Sequence, residues 1–373
     1  MSYLSKIRWA HSDRLERWLG AEQTADISDK MRDWYGPPIA IKGVPGAVYA
    51  AKGGDFVGPI AGGGASNLVD YAASRAARIW RNAALRSRVT MHGFSSLSDL
   101  ISEATTGGKA QDLIFSKSFP APGAIANSTS SFNLGSLPAA GGVGGTSGTG
   151  RACTSATTGA MKFTNPTGGD TTHITTISVF SNLANVTNLL VDRLWDMTYN
   201  HATSTSTAID SANRPTRYTT SALAPGTFIS GEITTALSAT AHNLTVTYVD
   251  DQGNTAEAAA AYAAPVSAAV NRTPLVAGNW FVPLNSPDLG VQYLTNIAQS
   301  TITSVTGVTT WWIAHPLAWV PCPVANQLAV LDGINSAFNL TRVYDSACLA
   351  WYLPGAPASS ASISSGSIKL VSG

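Results

Sequence analysis

Residues 244–255 read LTVTYVDDQGNT, and this stretch decides the fold class. Leu244, Val246 and Tyr248 alternate with Thr245 and Thr247, the two-residue period that puts apolar groups on one face of a strand and hydroxyls on the other. Asp250-Asp251-Gln252-Gly253 then supplies a turn, because short carboxylates bond the local backbone and glycine accepts positive φ. The pattern is a hairpin with one buried face. Beyond about residue 110 the same grammar continues: Thr, Ser, Val and Ala dominate, and short alternating runs are broken by Gly, Pro, Asn and Asp. Strands are expected at His173–Phe180, Val186–Trp195, Thr227–Leu237, Thr309–Val320, Ala347–Leu353 and Ser362–Leu370. No comparably strong helix alternates with them, which favours an antiparallel β-sandwich over a parallel α/β sheet. Residues 135–160 contain Gly141-Gly142-Val143-Gly144-Gly145; they have the composition of a flexible linker and also suit an ordered crossing segment.

The N-terminal part reads differently, holding 23 of the 45 charged side chains in its first 106 residues. Leu4, Ile7, His11, Leu15 and Trp18 recur at spacings of three and four, one face of a helix that Gly20 ends. A second short helix, Ala25–Trp34, stops before Gly36-Pro37-Pro38. Residues 36–66, rich in Gly, Pro and Ala, are expected to run extended as a docking arm. Asn67–Arg88 carries the strongest helical pattern, a narrow stripe of Leu68, Ala72, Ala76, Ile79 and Ala83 flanked by Arg75, Arg78, Arg81, Arg86 and Arg88. A solvated face is the plain reading of these arginines, and contact with nucleic acid or an acidic neighbour is the alternative. The expected organisation is a helical and extended docking region over 1–110 and a β-sandwich over 111–373.

Only 12% of the 373 residues are charged and the net charge is +1, against a usual charged fraction of about 25%. No global field therefore steers nucleic acid or an anionic membrane, and partners must be recognised by shape. Met1-Ser2-Tyr3-Leu4-Ser5-Lys6 runs at once into charge, and nowhere do about 18 apolar residues run together. Neither secretion nor membrane spanning is expected. Cys153, Cys322 and Cys348 are too scattered for a metal knuckle and too few for a disulfide framework, so free buried thiols are expected.

Residues able to do chemistry are present, but not in a recognisable pattern. The six histidines, His11, His92, His173, His201, His242 and His315, are isolated from one another at metal-ligand spacing. Gly107-Gly108-Lys109-Ala110 lacks the hydroxyl and upstream glycine of a phosphate loop. Two acids flanking a glycosidic bond could come from Asp192 with Asp196 or Asp250 with Asp251. Asp192 with Arg193 reads more simply as an ion pair at a sheet edge, and the Asp250 pair as turn chemistry. No catalytic, cofactor-binding or metal-binding residues are assigned, and the chain is read as a non-enzyme. Among ten tryptophans, Trp195, Trp319 and Trp351 are expected in the core. Trp311 and Trp312 are adjacent, so on a strand they face opposite sides and at most one should reach the core; the other would be a glycan platform, be covered by a loop or, preferably, anchor an interface.

TTGAMKFTNPTGG at 157–169, LLVDRLWDM at 189–197, the hairpin at 244–255, TRVYDSACLAWYL at 341–353 and SSGSIKL at 364–370, taken in this order, resemble a family of tailed-bacteriophage minor virion structural proteins with a jelly-roll-like β-sandwich. The resemblance spans roughly residues 110–373. It implies a virion component with no catalytic residues to carry over. A capsid-associated decoration, cement or minor head protein docked on the shell is the expected role. A neck or tail structural protein and a receptor-binding or glycan-binding module are the alternatives. Expected partners are copies of the chain itself, as a homotrimer or other homo-oligomer, and the major capsid protein or other virion proteins, without a membrane or specific nucleic acid. The expected location is the virion, assembled in the bacterial host cytoplasm. Leu4, Ile7, Trp18, Arg75, Arg78, Arg81, Trp311 and Trp312 are the candidate interface residues.

Overall fold

A computed structural model of the chain describes residues 94, 96–121, 127–130, 132–255, 257–267, 270, 272–275, 280–302, 307–334, 340–356 and 361–373. The expected N-terminal helices and arm lie outside these residues. The described residues are mainly β, arranged in antiparallel sheets. The first sheet orders β1 (Ala110–Phe119), β16 (Ser362–Ser372), β4 (Thr172–Ser181) and β13 (Leu328–Asp332), with β14 (Arg342–Val343) also on β4. The middle sheet orders β2 (Asn127–Ser130), β15 (Leu349–Ala356), β5 (Val186–Asn200), β12 (Val308–Cys322) and β7 (Phe228–Thr235), with β3 (Arg151–Ala152) on β5. A third sheet orders β10 (Tyr262–Ala263), β8 (Asn243–Asp250), β11 (Val291–Gln299) and β6 (Ser206–Ala208), with β9 (Glu257–Ala258) on β8. The described residues thus form three sheets rather than the two of a simple sandwich.

Two long strands make this possible. β5 and β12 each run for 15 residues, and the first sheet packs on one half of them while the third packs on the other. Val186 and Leu190 join Phe115, Ile177 and Leu370 in the first core cluster, whereas Trp195, Met197 and Tyr199 join Leu244, Val246 and Tyr248 in the second. The inward positions on β5 change from even to odd because the register steps from Trp195 to Arg193 opposite Ile313 and Ala314. Leu194 is the extra residue of a bulge, which resets which side chains face the core. The hairpin at 244–255 is as expected: Leu244, Val246 and Tyr248 are fully buried. Asp250 accepts from the backbone N–H groups of Gln252 at 3.0 Å and Asn254 at 2.7 Å.

The opposite face of the middle sheet is buried as well. Phe132, Leu189, Val191, Phe228, Trp312, Ala350 and Tyr352 form a third cluster there. Ile233 donates to the Arg272 carbonyl at 2.8 Å and Thr273 to that of Ser128 at 2.9 Å, so residues 272–273 tie the β7 edge to the β2 edge around this cluster. The glycine-rich stretch within 135–160 is the ordered alternative rather than a linker. β3 continues the β5 edge beyond Leu349, with Cys153 donating to the Leu194 carbonyl at 3.0 Å and Thr198 to that of Gly145 at 2.8 Å. Lys117, buried on β1, ties the stretch down by donating to the carbonyls of Leu134 at 3.0 Å and Ala139 at 3.3 Å. Gly150 has a φ of +70° and lies so close to the Trp195 indole that a Cβ would collide with it. Gly150→Ala is therefore expected to destabilise the fold by about 1–3 kcal/mol, read as a lower urea midpoint; an unchanged midpoint would contradict this packing.

A single short helix among the described residues, α1 (Leu97–Thr105), starts at Ser96, whose hydroxyl accepts from the Asp99 N–H at 3.1 Å. It buries Leu100 with Phe94 and Val371 of β16. No helix among the described residues is long and apolar enough to cross a membrane.

Candidate functional site

Leu4, Ile7, Trp18, Arg75, Arg78 and Arg81 lie outside the described residues. Trp311 and Trp312 are placed, and neither is at the surface: both are buried. Trp311 enters the second cluster. Trp312 enters the third, edge-on to Phe228 at 5.5 Å and Tyr352 at 5.2 Å between ring centroids. The expectation that only one reaches the core assumed that one face of this sheet is wet, and it is not. Trp195 and Trp351 are buried as expected, but Trp319 is 43% exposed, with its ring edge-on to Trp280 at 5.2 Å.

The acidic residues singled out on β5 sit in an interior strand rather than at a sheet edge, and Asp192 does not pair with Arg193. Consecutive residues face opposite sides. Asp192 accepts from Arg217 Nε and Nη2, both at 2.8 Å, and from the Cys348 N–H at 2.9 Å. Arg193, on the other side, donates to Asp196 at 3.1 Å and 3.2 Å and to Glu232 at 3.4 Å. Its guanidinium lies 4.3 Å from the centroid of the Phe132 ring. Arg151 grips Asp196 from the other direction at 2.6 Å and 3.1 Å, and the side-chain amide of Asn133 donates to Glu232 at 2.7 Å. Sequence reading missed Arg217, Arg151 and Glu232 because strand pairing and the glycine-rich stretch bring them in from afar.

Burial raises the Asp192 and Glu232 carboxyls, opposed by Arg217 and Arg193 respectively. Burial pushes Asp196 the same way, but Arg193 and then Arg151 outweigh it and hold that carboxyl below its usual range. Asp192 and Asp196 thus point to opposite faces, each saturated by guanidinium donors, so they cannot flank one glycosidic bond with water between them. This network cross-links the middle sheet. Among the described residues no three His, Cys, Asp or Glu side chains converge as a metal site.

The exposed face of the first sheet is of another kind. Its outward residues form rows across four strands: Ile114, Ser367, Ser178 and Val330 in one, Ser116, Ser365, Phe180 and Leu328 in the next. The serines bond one another, Ser178 to Ser367 at 2.9 Å and Ser116 to Ser365 at 2.8 Å. Those bonds turn their polarity inward along the sheet and leave an uncharged centre. At its margins Ile114 is 66% exposed, Leu328 62% and Val330 59%. Asp112 and Lys369 make an exposed ion pair at 3.8 Å at one end. Beyond β13 no further strand pairs among the described residues.

No family model matches the chain, and no curated protein matches it. Among solved structures it is similar to the VP2 subviral particle protein of infectious bursal disease virus, at 12% identity over 73% of this chain and 86% of that one, with a TM-score of 0.14. The Gx strain structure of the same virus is matched at 10% identity over 71% and 80% of the two chains, with a TM-score of 0.15. The antiparallel β fold stands on the strand pairing described above, independently of these matches.

Proposed function

We propose that this chain is a structural component of a virus particle that works by packing against copies of itself and against other virion proteins. The observation that carries this reading is the outer face of the first sheet, uncharged at its centre and bordered by exposed Ile114, Leu328 and Val330. Soluble proteins ordinarily guard such an edge with lysine, proline or a bulge, and β13 (LAVLD) offers only Asp332. Four strands at about 4.8 Å and eight residues at about 3.3 Å give this face roughly 500 Å², less than the about 800 Å² per partner of a stable pairwise interface. Contacts through it are therefore weak singly and effective when repeated around a closed assembly.

The finer reading is a decoration, cement or minor head protein of a tailed bacteriophage, supported by the five ordered segments at 157–169, 189–197, 244–255, 341–353 and 364–370. A neck or tail position would show as a few copies per particle, and a shell position as many. Sedimentation velocity on the purified full-length chain is expected to show species that grow with concentration. A single monomeric boundary at every concentration would overturn self-assembly.

Trp319 supports a second reading, as a glycan-binding module. An indole exposed beside Trp280 and Phe281 can stack on a sugar ring, a role that buried Trp312 cannot fill. If so, binding on a glycan array is abolished by Trp319→Ala; no binding by the unaltered protein at millimolar sugar would remove this reading.

A further inference from the structure

At one end of the second core cluster the middle and third sheets are joined by two touching histidines. His201 follows the last residue of β5 and His242 precedes the first of β8, and both are buried. His201 Nδ1 lies 3.1 Å from His242 Nε2 and 2.9 Å from Gln299 Oε1 at the end of β11, while His201 Nε2 lies 3.0 Å from the Thr309 hydroxyl on β12. We infer that this four-residue clasp is an acid-sensitive joint, through which mild acid opens the seam between the middle and third sheets before the rest of the fold yields.

The protons follow from one fixed partner. His242 Nδ1 is 3.1 Å from the Thr240 carbonyl, which only accepts, so Nδ1 carries the hydrogen and the Nε2 of the neutral ring accepts. His201 Nδ1 must then donate, to His242 and to Gln299 Oε1 together, and its Nε2 accepts from the Thr309 hydroxyl. The Gln299 amide cannot turn over, because its Nε2 donates to the carbonyls of His201 at 2.7 Å and Ser204 at 2.8 Å. A proton added to His242 Nε2 would face the N–H of His201. Relieving that clash by moving the His201 hydrogen to Nε2 strips Gln299 Oε1 of its donor. A proton added to His201 Nε2 instead puts a charge among buried side chains.

Among the described residues nothing around the clasp compensates such a charge. From β5, Tyr199 stands edge-on to His201 at 4.9 Å with its hydroxyl donating to the Ser204 carbonyl at 2.9 Å. Gly307 and Leu237 close the side toward the β7–β8 and β11–β12 connections. Among the described residues no carboxylate, lysine or arginine makes a hydrogen bond or ion pair with either ring. Burial, then His242, lowers His201 from 6.5 to about 4. The closed joint thus resists protonation at His201 over a window in which the opened one accepts it. Closure is at full strength above about pH 6.5 and weakens as pH falls toward about 4, by up to about tenfold per unit. His315, stacked on Tyr218 at 4.0 Å, is also lowered by burial to about 4; it lies on β12, away from the clasp, and titrates in the same window.

Hydrogen exchange on the full-length protein at about pH 7.5 and about pH 4.5, corrected for the intrinsic rate, tests this. Residues 243–250 and 291–299 are expected to lose protection by up to about a hundredfold, while 172–181 and 362–372 keep theirs. Replacing both rings, His201→Gln with His242→Gln, is expected to abolish that selective loss in a folded protein. Equal protection of the third sheet at both pH values, simultaneous loss in all three sheets, or selective loss that persists in the folded double variant would each overturn the inference. If the double variant does not fold, the comparison of sheets in the unaltered protein still decides it.

Discussion

Arg193→Ala is expected to cost about 3–5 kcal/mol of folding stability, the usual cost of leaving buried charges without their partner. The side chain is 3% exposed and is shared by Asp196 and Glu232, both fully buried. Its loss leaves Glu232 held by the Asn133 amide and the Ser130 hydroxyl alone, and it empties the space over Phe132 and beside Trp312. Folded domains hold only about 5–15 kcal/mol in total, so the variant should unfold at a far lower urea concentration. Arg151→Ala is the contrast. Its side chain is 31% exposed, water can replace it at Asp196, and a loss of about 1 kcal/mol or less is expected. Equal urea midpoints for the two variants would show that the network does not hold the middle sheet. Acid should act on it with a definite sign. The Asp196 carboxyl is held below its ordinary value, so its contribution is present above that value and is lost as pH falls through the lowered one.

Leu328→Lys with Val330→Lys is expected to abolish self-association while leaving the fold within about 0.5 kcal/mol of the unaltered protein. Both side chains point outward from β13 and are more than half exposed, so the monomer loses little. In an assembly each copy would have to bury two ammonium groups against an uncharged face, with the cost repeated at every contact. Sedimentation should collapse to a monomer, and the variant should be missing from purified particles. Val143→Lys is the matched control, since Val143 is 82% exposed on the glycine-rich stretch over the other side of the middle sheet; its association should be unaltered. Association of the β13 variant equal to that of the control would place the contact elsewhere.

Much of the architecture could be read from local pattern. β8 alternates cleanly, and β4, β8 and β16 lie within a residue or two of where the sequence places them. What escaped was everything set by long-range packing. The bulge at Leu194 leaves no local mark, yet it decides which side chains of β5 face which sheet. Trp311 and Trp312 look like a half-exposed pair unless the far face of their sheet is known to be covered, and the cover is a stretch whose glycines suggest a linker. β1 went unrecognised because Asp112 and Lys117 break its apolar run, and β13 because five residues between turns carry little period. The face proposed for assembly is built from those two strands with β4 and β16, so it could not be seen before the sheet was assembled. His201, His242 and Gln299 are likewise distant in sequence and meet only through the pairing of β8 with β11 and β5 with β12.

A three-dimensional image reconstruction of the particle at side-chain resolution tests the proposed role most directly. The outer face of the first sheet should be covered by a neighbouring subunit, with Leu328 and Val330 buried in the contact and the β13 edge occupied. Finding the chain in the particle with that face bare to solvent, or finding no copy of the chain in the particle at all, would contradict it.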